Sequence, residues 1–329
     1  MSVLVRGIAA ALSLASVTTV VVPDDAAASP FLLFDPVSDQ VIDYEDADRY
    51  WHPASLTKMM TAYLTFEAVK TGKLTWGGKL ELSPYARSQP ATRVGLKPGI
   101  DVTIDQAVRA LILRSANDFA VALAENIAGS EPAFVDQMNA AAKRLGMTRT
   151  HFANPHGLPE PSQITTARDM AHLAAAIYHD FPEHADVFSN PQVGIGRAKL
   201  TTLNSLLRTF NGADGMKTGF TCSSGYNIVG SATRNGHRLI AVVLGETTGD
   251  ARNKRVAELL EAGFARDSTK AAGPATVQLA TLPLPPMEPL PVEDLTHETK
   301  TWKCGNASGP ARPRAVKVAA KGPGRRKHR

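Results

Sequence analysis

The spacing of apolar residues predicts a chain that begins with short strands and continues with longer helices. Two strands are expected at 31–34 and 40–43, since both runs are rich in apolar or β-branched residues and a turn separates them. From Ser55, apolar residues recur at helical spacing as far as Gly72, a suitable residue to end a helix. Lys58 follows Ser55 at i+3, so both side chains are expected on one face of this helix.

A second helix is expected over 103–113, because Thr103 and Gln106 form a capping-box pattern. The triplet Ser115-Ala116-Asn117 interrupts the apolar pattern, and Asp118 is expected to cap the helix that follows. The triplet is therefore expected in a loop between two helices, where polar side chains can be directed into a cleft.

The second half of the chain is expected to add both helices and strands. The expected elements are helices at about 131–145, 167–179 and 250–264 and strands at 226–232 and 238–244. Asn235-Gly236 lies between the two strands and indicates a tight hairpin. The fold class expected from this order is α+β, with an antiparallel sheet flanked by helices.

The N-terminus has the pattern of a secretory signal. Arg6 precedes an apolar run over about 7–22, and three alanines at 26–28 follow it. A membrane-spanning helix is the alternative, but the run is shorter than the ~20 apolar residues that a span needs. Residues 1–28 are therefore expected to be a cleaved signal that exports the protein to the periplasm or cell envelope.

Charge and proline content set the C-terminal region apart from the expected domain at 29–268. Residues 269–311 are rich in proline and are expected to form a largely extended linker. Residues 312–329 carry eight Lys or Arg and no acid, so the net charge of +5 leaves about −3 for the remainder of the chain. Because the basic character belongs to this tail of an exported chain, no nucleic-acid partner is expected. The tail is either disordered and solvated or contacts anionic lipid headgroups or cell-wall polymers.

Three motifs follow one another in an informative order: Ser55-Leu56-Thr57-Lys58, then Ser115-Ala116-Asn117, then Lys217-Thr218-Gly219. Each alone is an ordinary cap, loop or strand end, but together they match the pattern of serine β-lactamases and penicillin-binding proteins. Over about 31–268 the chain resembles the D-alanyl-D-alanine carboxypeptidases, the low-molecular-mass penicillin-binding proteins. Further segments share this resemblance: Pro53-Ala54, Arg114 to Asp118, Asn154 to Leu158, Thr166 to Ala171, and Asp214 to Thr221.

The first two motifs contain the residues needed for nucleophilic catalysis. A serine hydroxyl needs an adjacent base, and a lysine can be that base if burial or a neighbouring cation lowers its pKa. Lys58 beside Ser55, with Lys217 approaching from the sheet, meets both conditions. Ser55 is therefore the expected nucleophile, Lys58 the general base, Ser115 a proton relay to the leaving amine, and Asn117 a partner for the substrate backbone.

The third motif supplies candidate substrate-binding residues. Lys217 and Thr218 offer a cation and a hydroxyl for a terminal carboxylate, and Gly219 allows a substrate backbone to approach. The resemblance implies that the backbone N–H groups of Ser55 and Phe220 form an oxyanion hole. By its spacing, Arg252 is either a further carboxylate-binding residue or a solvated arginine on a helix face.

The resemblance also implies a fold and an activity. The fold is that of the penicillin-recognising serine hydrolases, and the substrate is the D-alanyl-D-alanine end of peptidoglycan stem peptides. An acyl-enzyme forms on Ser55, and β-lactams acylate the same serine. No cofactor is expected, and no metal, because the histidines lack a His-Glu-x-x-His spacing.

Some alternatives stay open. A D,D-endopeptidase would use the same residues, and a non-hydrolytic wall-binding protein could keep the same cleft. A class A β-lactamase is disfavoured, because Ala116 stands where such enzymes have Asp and no Glu-x-x-x-Asn follows the second motif. Cys222 and Cys304 either form a disulfide, which an oxidising compartment permits, or remain free thiols.

Overall fold

The structure is a computed structural model that describes residues 29–90, 92–268, 277–285, 292 and 304. The expected signal segment 1–28 and basic tail 312–329 lie outside these residues, as does most of the expected linker 269–311. Among the helices described, none combines the length and apolar character needed to cross a membrane.

The strands form one large antiparallel sheet and a separate hairpin. Their bounds are Phe31–Phe34 (β1), Gln40–Glu45 (β2), Gln192–Ile195 (β3), Ala198–Thr201 (β4), Ala213–Thr221 (β5), Gly225–Arg234 (β6), His237–Glu246 (β7) and Val277–Gln278 (β8). The large sheet has the order β5-β6-β7-β1-β2-β8, whereas β3 pairs only with β4. Asn235 and Gly236 both have positive φ, as the predicted tight turn between β6 and β7 requires.

The helices lie where the apolar pattern predicts them, with three shorter ones added. Their bounds are Lys58–Lys70 (α1), Pro84–Ser88 (α2), Ile104–Arg114 (α3), Asn117–Ala128 (α4), Glu131–Arg144 (α5), Ala167–Asp180 (α6), Asp186–Ser189 (α7), Leu206–Thr209 (α8) and Gly249–Ser268 (α9). A 3₁₀ turn, Ala54–Thr57, leads into α1. The capping box of Thr103 and Gln106 is present at the start of α3.

The two faces of the sheet contact different groups of helices. On β1, Leu32 and Phe34 belong to the larger apolar cluster with α1, α3, α4 and α6, while Phe31 and Leu33 contact the smaller cluster that contains Leu260 of α9. This alternation is the period of two expected for a strand covered on both faces. The prediction of an α+β fold with an antiparallel sheet flanked by helices is confirmed.

Helix α1 lies in the interior of the larger cluster. Ten of its residues are buried, and the residues on all of its sides are predominantly apolar or small. Such a helix is typical of the core and not of the surface. The 3₁₀ turn that carries Ser55 therefore enters a helix that is almost completely removed from solvent.

The prediction for the second motif needs a correction. Asp118 does not cap α4, because Asn117 is already helical and Ala116 occupies the N-cap position. The Asp118 carboxylate instead accepts hydrogen bonds from the backbone N–H groups of Val94, Gly95 and Phe119. Only Ser115 and Ala116 separate α3 from α4, so the motif is a tight connection and not an extended loop.

Part of the expected linker packs against the folded domain. Strand β8 pairs with β2, and Leu279 and Leu282 are buried. The guanidinium of Arg168 donates to the carbonyls of Leu282 and Pro283, and it also pairs with the buried carboxylate of Asp48. The folded unit therefore extends beyond the expected boundary at residue 268.

The two cysteines are joined. A disulfide connects Cys222, directly after β5, with Cys304 in the C-terminal region. The alternative of two free thiols is therefore wrong, and a distant part of the chain is fixed next to the strand that carries Lys217-Thr218-Gly219.

Candidate active site

Ser55 and Lys58 adopt the arrangement expected of a nucleophile and its base. The Nζ atom of Lys58 lies 3.1 Å from the Oγ atom of Ser55 and also contacts the carbonyl oxygen of His156. Ser55 is half-buried, whereas the side chain of Lys58 is fully buried. Burial first, and then the charge of Lys217, holds the pKa of Lys58 well below its ordinary value, while Asp118 opposes this shift. A neutral lysine next to a serine hydroxyl can accept its proton.

The loop Asn154–Leu158 contacts this lysine through the carbonyl of His156. Gly157 has φ +84°, and a Cβ built on it would lie 1.8 Å from the carbonyl oxygen of Ala54. No side chain fits between these two backbones, so glycine is required here. The hydroxyl of Thr61 donates to the carbonyl of Pro155 at 2.7 Å, which ties the loop to α1.

A buried asparagine forms hydrogen bonds to the segment that leads to Ser55. The amide nitrogen of Asn227, in β6, donates to the carbonyls of His52 and Pro53 at 3.0 and 3.3 Å. Its amide oxygen accepts from the backbone N–H of Gly245 at 2.9 Å. Asn227 is fully buried, so these bonds hold the backbone that precedes the nucleophile against β6 and β7.

Ser115 contributes a buried hydroxyl to the site. Its backbone is left-handed, with φ +57° and ψ +41°. Its carbonyl accepts from the hydroxyl of Thr92, but its own Oγ atom is buried and has no hydrogen-bond partner among the residues described. A buried polar atom without a partner is costly and is typical of groups that serve function.

Asn117 is the first residue of α4 and is almost fully buried. Its side-chain nitrogen donates to the carbonyl of Pro90 at 3.0 Å, and its backbone N–H donates to the carbonyl of Thr92. Together with the contacts from Asp118 to Val94 and Gly95, these bonds fix the segment after α2 beside the second motif.

Strand β5 brings the third motif against the nucleophile. A Cβ built on Gly219 would lie 2.9 Å from the carbonyl oxygen of Pro53 and 3.2 Å from the backbone nitrogen of Ser55. Lys217 is 1% exposed, and its Nζ atom donates to the carbonyl of Thr218 at 2.8 Å. Burial first, and then the charge of Arg252, lowers the pKa of Lys217 to about 7.

Arg252 is buried and acts electrostatically on Lys217, so the alternative of a solvated arginine on a helix face is wrong. It is 7% exposed, and its Nε and Nη2 atoms donate to the Oδ1 atom of Asn253 at 3.1 and 2.8 Å. The guanidinium lies 5.8 Å from the centre of the Tyr226 ring, which stacks on Phe220. Burial lowers the pKa of Arg252 to about 10, and Tyr226 and Asp250 oppose this shift.

The charges of the cleft favour an anionic group. Lys217 acts electrostatically on Lys58, and Arg252 acts on Lys217, so three buried basic side chains are placed in series. An anion beside Lys217 and Arg252 would offset the repulsion between them. Within the described part of the chain, no cluster of three or more His, Cys, Asp or Glu is suited to a metal ion.

Sequence reasoning missed two of the supporting groups. The carbonyl of His156, which contacts Lys58, is a backbone atom and leaves no residue-type signal. Asn227 is a polar residue beside the apolar pair Ile228-Val229, which is a signal that could have indicated a buried hydrogen-bonding role.

Comparison with known proteins gives a consistent result. The sequence profile of the D-alanyl-D-alanine carboxypeptidase family, peptidase S11, matches residues 16–248. D-alanyl-D-alanine carboxypeptidase DacC of Escherichia coli K12 is 39% identical over 244 residues, which is 72% of this chain and 61% of DacC. The chain spans about three fifths of the length of DacC and of the DacA proteins of Haemophilus influenzae and Escherichia coli K12.

Solved structures confirm the expected fold. Penicillin binding protein 5 of Haemophilus influenzae has a TM-score of 0.69 and 38% identity, and the match covers 74% of this chain and 73% of that one. Penicillin-Binding Protein D2 of Listeria monocytogenes, solved in an ampicillin-bound form, has a TM-score of 0.67 and 32% identity, with 74% of this chain and 100% of that one covered. The chain therefore belongs to the D-alanyl-D-alanine carboxypeptidase family, peptidase S11.

Proposed function

We propose that this protein is a serine-type D-alanyl-D-alanine carboxypeptidase that removes the terminal D-alanine from peptidoglycan stem peptides. The observation that carries the proposal is the 3.1 Å contact between the Ser55 hydroxyl and the buried amine of Lys58. Two further features support it: the buried hydroxyl of Ser115, which lacks a partner among the residues described, and the cationic pair of Lys217 and Arg252. These groups match a substrate with a reactive amide next to a free carboxylate.

In the acylation step, neutral Lys58 takes the proton of Ser55 as the serine oxygen attacks the carbonyl of the penultimate D-alanine. The backbone N–H groups of Ser55 and Phe220 stabilise the resulting oxyanion, and such a donor is typically worth ~3 kcal/mol. The proton then passes from Lys58 through the hydroxyl of Ser115 to the leaving nitrogen. The C–N bond breaks, D-alanine departs, and an ester on Ser55 remains.

The leaving D-alanine is held by its carboxylate. Lys217, the hydroxyl of Thr218 and Arg252 form a cationic subsite at this end of the cleft, with charge-assisted hydrogen bonds to the carboxylate oxygens. Asn117 orients the backbone on the acyl side. A bound carboxylate also raises the pKa of Lys217, so substrate binding favours the charged form that recognises it.

Deacylation uses the same residues, with Lys58 again as general base and the oxygen of Ser55 as the leaving group. Lys58, neutral again once its proton has left with D-alanine, activates a water molecule that attacks the ester carbonyl. The N–H groups of Ser55 and Phe220 stabilise the second oxyanion. The shortened stem peptide departs, and the proton returns to Ser55. β-Lactams acylate the same serine, since their strained amide and carboxylate occupy the same positions.

Export to the periplasm or cell envelope is part of the proposal. Its support is the signal-like pattern of residues 1–28, together with a disulfide, which an oxidising compartment favours. Contact of the basic residues 312–329 with anionic lipid or cell-wall polymers belongs to the same proposal and rests on their charge alone. If truncation at Pro310 leaves low-salt cosedimentation with anionic vesicles and cell walls unchanged, this contact is ruled out.

Covalent labelling tests the proposed nucleophile. The protein is incubated with benzylpenicillin and analysed by intact and peptide mass spectrometry, and one adduct on Ser55 is expected. Ser55→Ala should remove the adduct, whereas Ser38→Ala, which changes an exposed serine in the turn between β1 and β2, should retain it. A folded protein that forms no adduct, or an adduct at another residue, contradicts the proposed mechanism.

A further inference from the structure

The guanidinium of Arg252 forms hydrogen bonds along one edge only, within the part of the chain that the structure describes. Its Nε and Nη2 atoms both donate to the Oδ1 atom of Asn253, at 3.1 and 2.8 Å. A guanidinium is a planar fork, and a carboxylate can bind to it through two donors at either the Nε and Nη2 edge or the Nη1 and Nη2 edge. Because Asn253 occupies the first edge, the second edge is left for a substrate.

The side chain of Asn253 is itself held in one orientation. Its Nδ2 atom donates to the Oγ atom of Ser205 at 2.7 Å. Since this bond uses the amide nitrogen, it fixes the orientation in which the amide oxygen faces Arg252. The two residues come from different parts of the fold, because Asn253 lies near the start of α9 and Ser205 directly precedes α8.

The segment that carries Ser205 is tied to the strand of the third motif. The neighbouring Asn204 is buried, and its Nδ2 atom donates to the carbonyl of Gly215 at 3.2 Å. Gly215 belongs to β5, the strand that also carries the third motif. A series of contacts therefore links β5 to the guanidinium through Ser205 and Asn253, so the two cationic groups of the proposed carboxylate subsite are held relative to each other.

The neutral amide of Asn253 suits this arrangement. It accepts both hydrogen bonds without cancelling the positive charge of Arg252, so the charge stays available for an anion. The guanidinium carbon lies 5.8 Å from the centre of the Tyr226 ring, a distance at which the ring attracts a cation. The guanidinium is therefore held at one edge and against one ring, while its Nη1 atom donates to no residue that the structure describes.

We propose that Asn253 is a positioning residue that presents the Nη1 and Nη2 edge of Arg252 to the terminal carboxylate of the substrate. Ser205 supports this role because it fixes the amide of Asn253. The inference rests on the proposed carboxypeptidase activity and deepens it, since Asn253 then determines how strongly the enzyme prefers a free carboxylate to an amide on the leaving residue.

Two acetylated tripeptides that differ only in their last group test this role. One ends in D-alanyl-D-alanine and the other in D-alanyl-D-alaninamide. Both yield the same shortened peptide, and its formation gives kcat and KM for each with the full-length protein. In Asn253→Ala the guanidinium loses its fixed orientation. We expect kcat/KM for the acid to fall about five- to thirtyfold, mainly through KM, and kcat/KM for the amide to change by less than about twofold.

Three further variants assign the contributions. Asn253→Asp keeps the acceptor but pairs a negative charge with Arg252, so kcat/KM for the acid should fall at least as far as in Asn253→Ala. Ser205→Ala should lower it by about two- to fivefold and carries the same test if Asn253→Ala does not fold. Lys254→Ala, at the exposed neighbouring position, is the matched control and should leave both values within about twofold of wild type.

A double-mutant cycle shows whether Asn253 acts through Arg252. Arg252→Lys keeps a positive charge but lacks the fork that Asn253 holds. In the Arg252→Lys background, Asn253→Ala should therefore change the preference for the acid over the amide by less than about twofold. A merely structural effect of Asn253→Ala would lower kcat/KM for both peptides and would be the same in both backgrounds.

The outcomes separate this inference from the proposed activity. Equal cleavage of the two peptides by wild type, an unchanged preference in Asn253→Ala, or equal losses in the two backgrounds overturns the positioning role, while D-alanine release still supports a carboxypeptidase. The absence of shortened peptide from both substrates with wild-type protein overturns the activity itself. End-point labelling of Ser55 with saturating benzylpenicillin shows that each variant is folded, so an altered preference in a labelled variant reports on the carboxylate subsite.

Discussion

Lys217→Met is expected to stabilise the protein at acidic pH while it removes activity. The side chain of Lys217 is fully buried, and its pKa is about 7, compared with 10.5 for an ordinary lysine. Below pH 7 the lysine is protonated in both the folded and the unfolded chain, so the folded state bears the whole cost of a buried charge. Between pH 7 and 10.5 the unfolded chain binds more protons, so the free energy of unfolding rises with pH.

The size of the effect follows from the two pKa values. At about 1.4 kcal/mol per pH unit, the difference corresponds to about 5 kcal/mol of destabilisation at pH 6 and about 1 kcal/mol at pH 9.5. Methionine avoids this cost but loses the hydrogen bond from Lys217 to the carbonyl of Thr218, worth about 1 kcal/mol. The variant should therefore be more stable than wild type by about 3 to 4 kcal/mol at pH 6, with little difference at pH 9.5.

Urea unfolding of both proteins at pH 6 and pH 9.5, followed by circular dichroism, measures this difference. Lys199→Met, at an exposed position of β4, is the matched control and should change stability by no more than about 0.5 kcal/mol at either pH. D-Alanine release by Lys217→Met should be lost at both pH values. If Lys217→Met is no more stable than wild type at pH 6, or if its gain in the free energy of unfolding grows toward pH 9.5, the argument that Lys217 is a buried charge for substrate recognition is refuted.

Three further variants test the groups around the nucleophile. Asn227→Ala should lower the free energy of unfolding by about 2 to 4 kcal/mol in urea, since it leaves buried backbone groups without partners; a smaller loss than 1 kcal/mol would contradict its role as a brace. Gly157→Ala should cost about 3 kcal/mol and slow penicillin acylation, because its Cβ meets the carbonyl of Ala54; unchanged acylation kinetics would count against this close packing. Ser115→Ala should change stability by less than about 1 kcal/mol, since its hydroxyl has no described partner, yet slow acylation by about 10²-fold or more. A labelling rate equal to wild type would exclude Ser115 as the relay.

Much of the fold could be predicted because local sequence patterns determine it. The i, i+3 relation of Ser55 and Lys58 follows from helix geometry, and Thr103 with Gln106 forms a capping box through side-chain and backbone contacts only three residues apart. Asn235-Gly236 fixes its hairpin by backbone conformation alone. Where a contact joins residues close in sequence, residue type and spacing are enough to predict the local structure.

The remaining features depend on contacts between distant parts of the chain. Asp118 has the composition of a cap, but its carboxylate is used by the backbone of Val94 and Gly95, so a tertiary contact overrides the local preference. Residues 277–285 include Pro283 and Pro285, which indicate an extended linker, and they pack because Arg168 and the edge of β2 provide partners. The candidate site also depends on contacts between distant residues. Gly219 lies next to Ser55 because the fold brings β5 against the start of α1, and no local sequence pattern indicates this contact.

The most direct test of the central claim is the release of D-alanine from an acylated tripeptide ending in D-alanyl-D-alanine, measured for wild type and Ser55→Ala. The account predicts steady release by wild type and none by a Ser55→Ala variant with the same circular dichroism spectrum. Release that persists in the variant would contradict Ser55 as the nucleophile. The absence of release from a wild-type protein that still forms a penicillin adduct on Ser55 would contradict the carboxypeptidase activity.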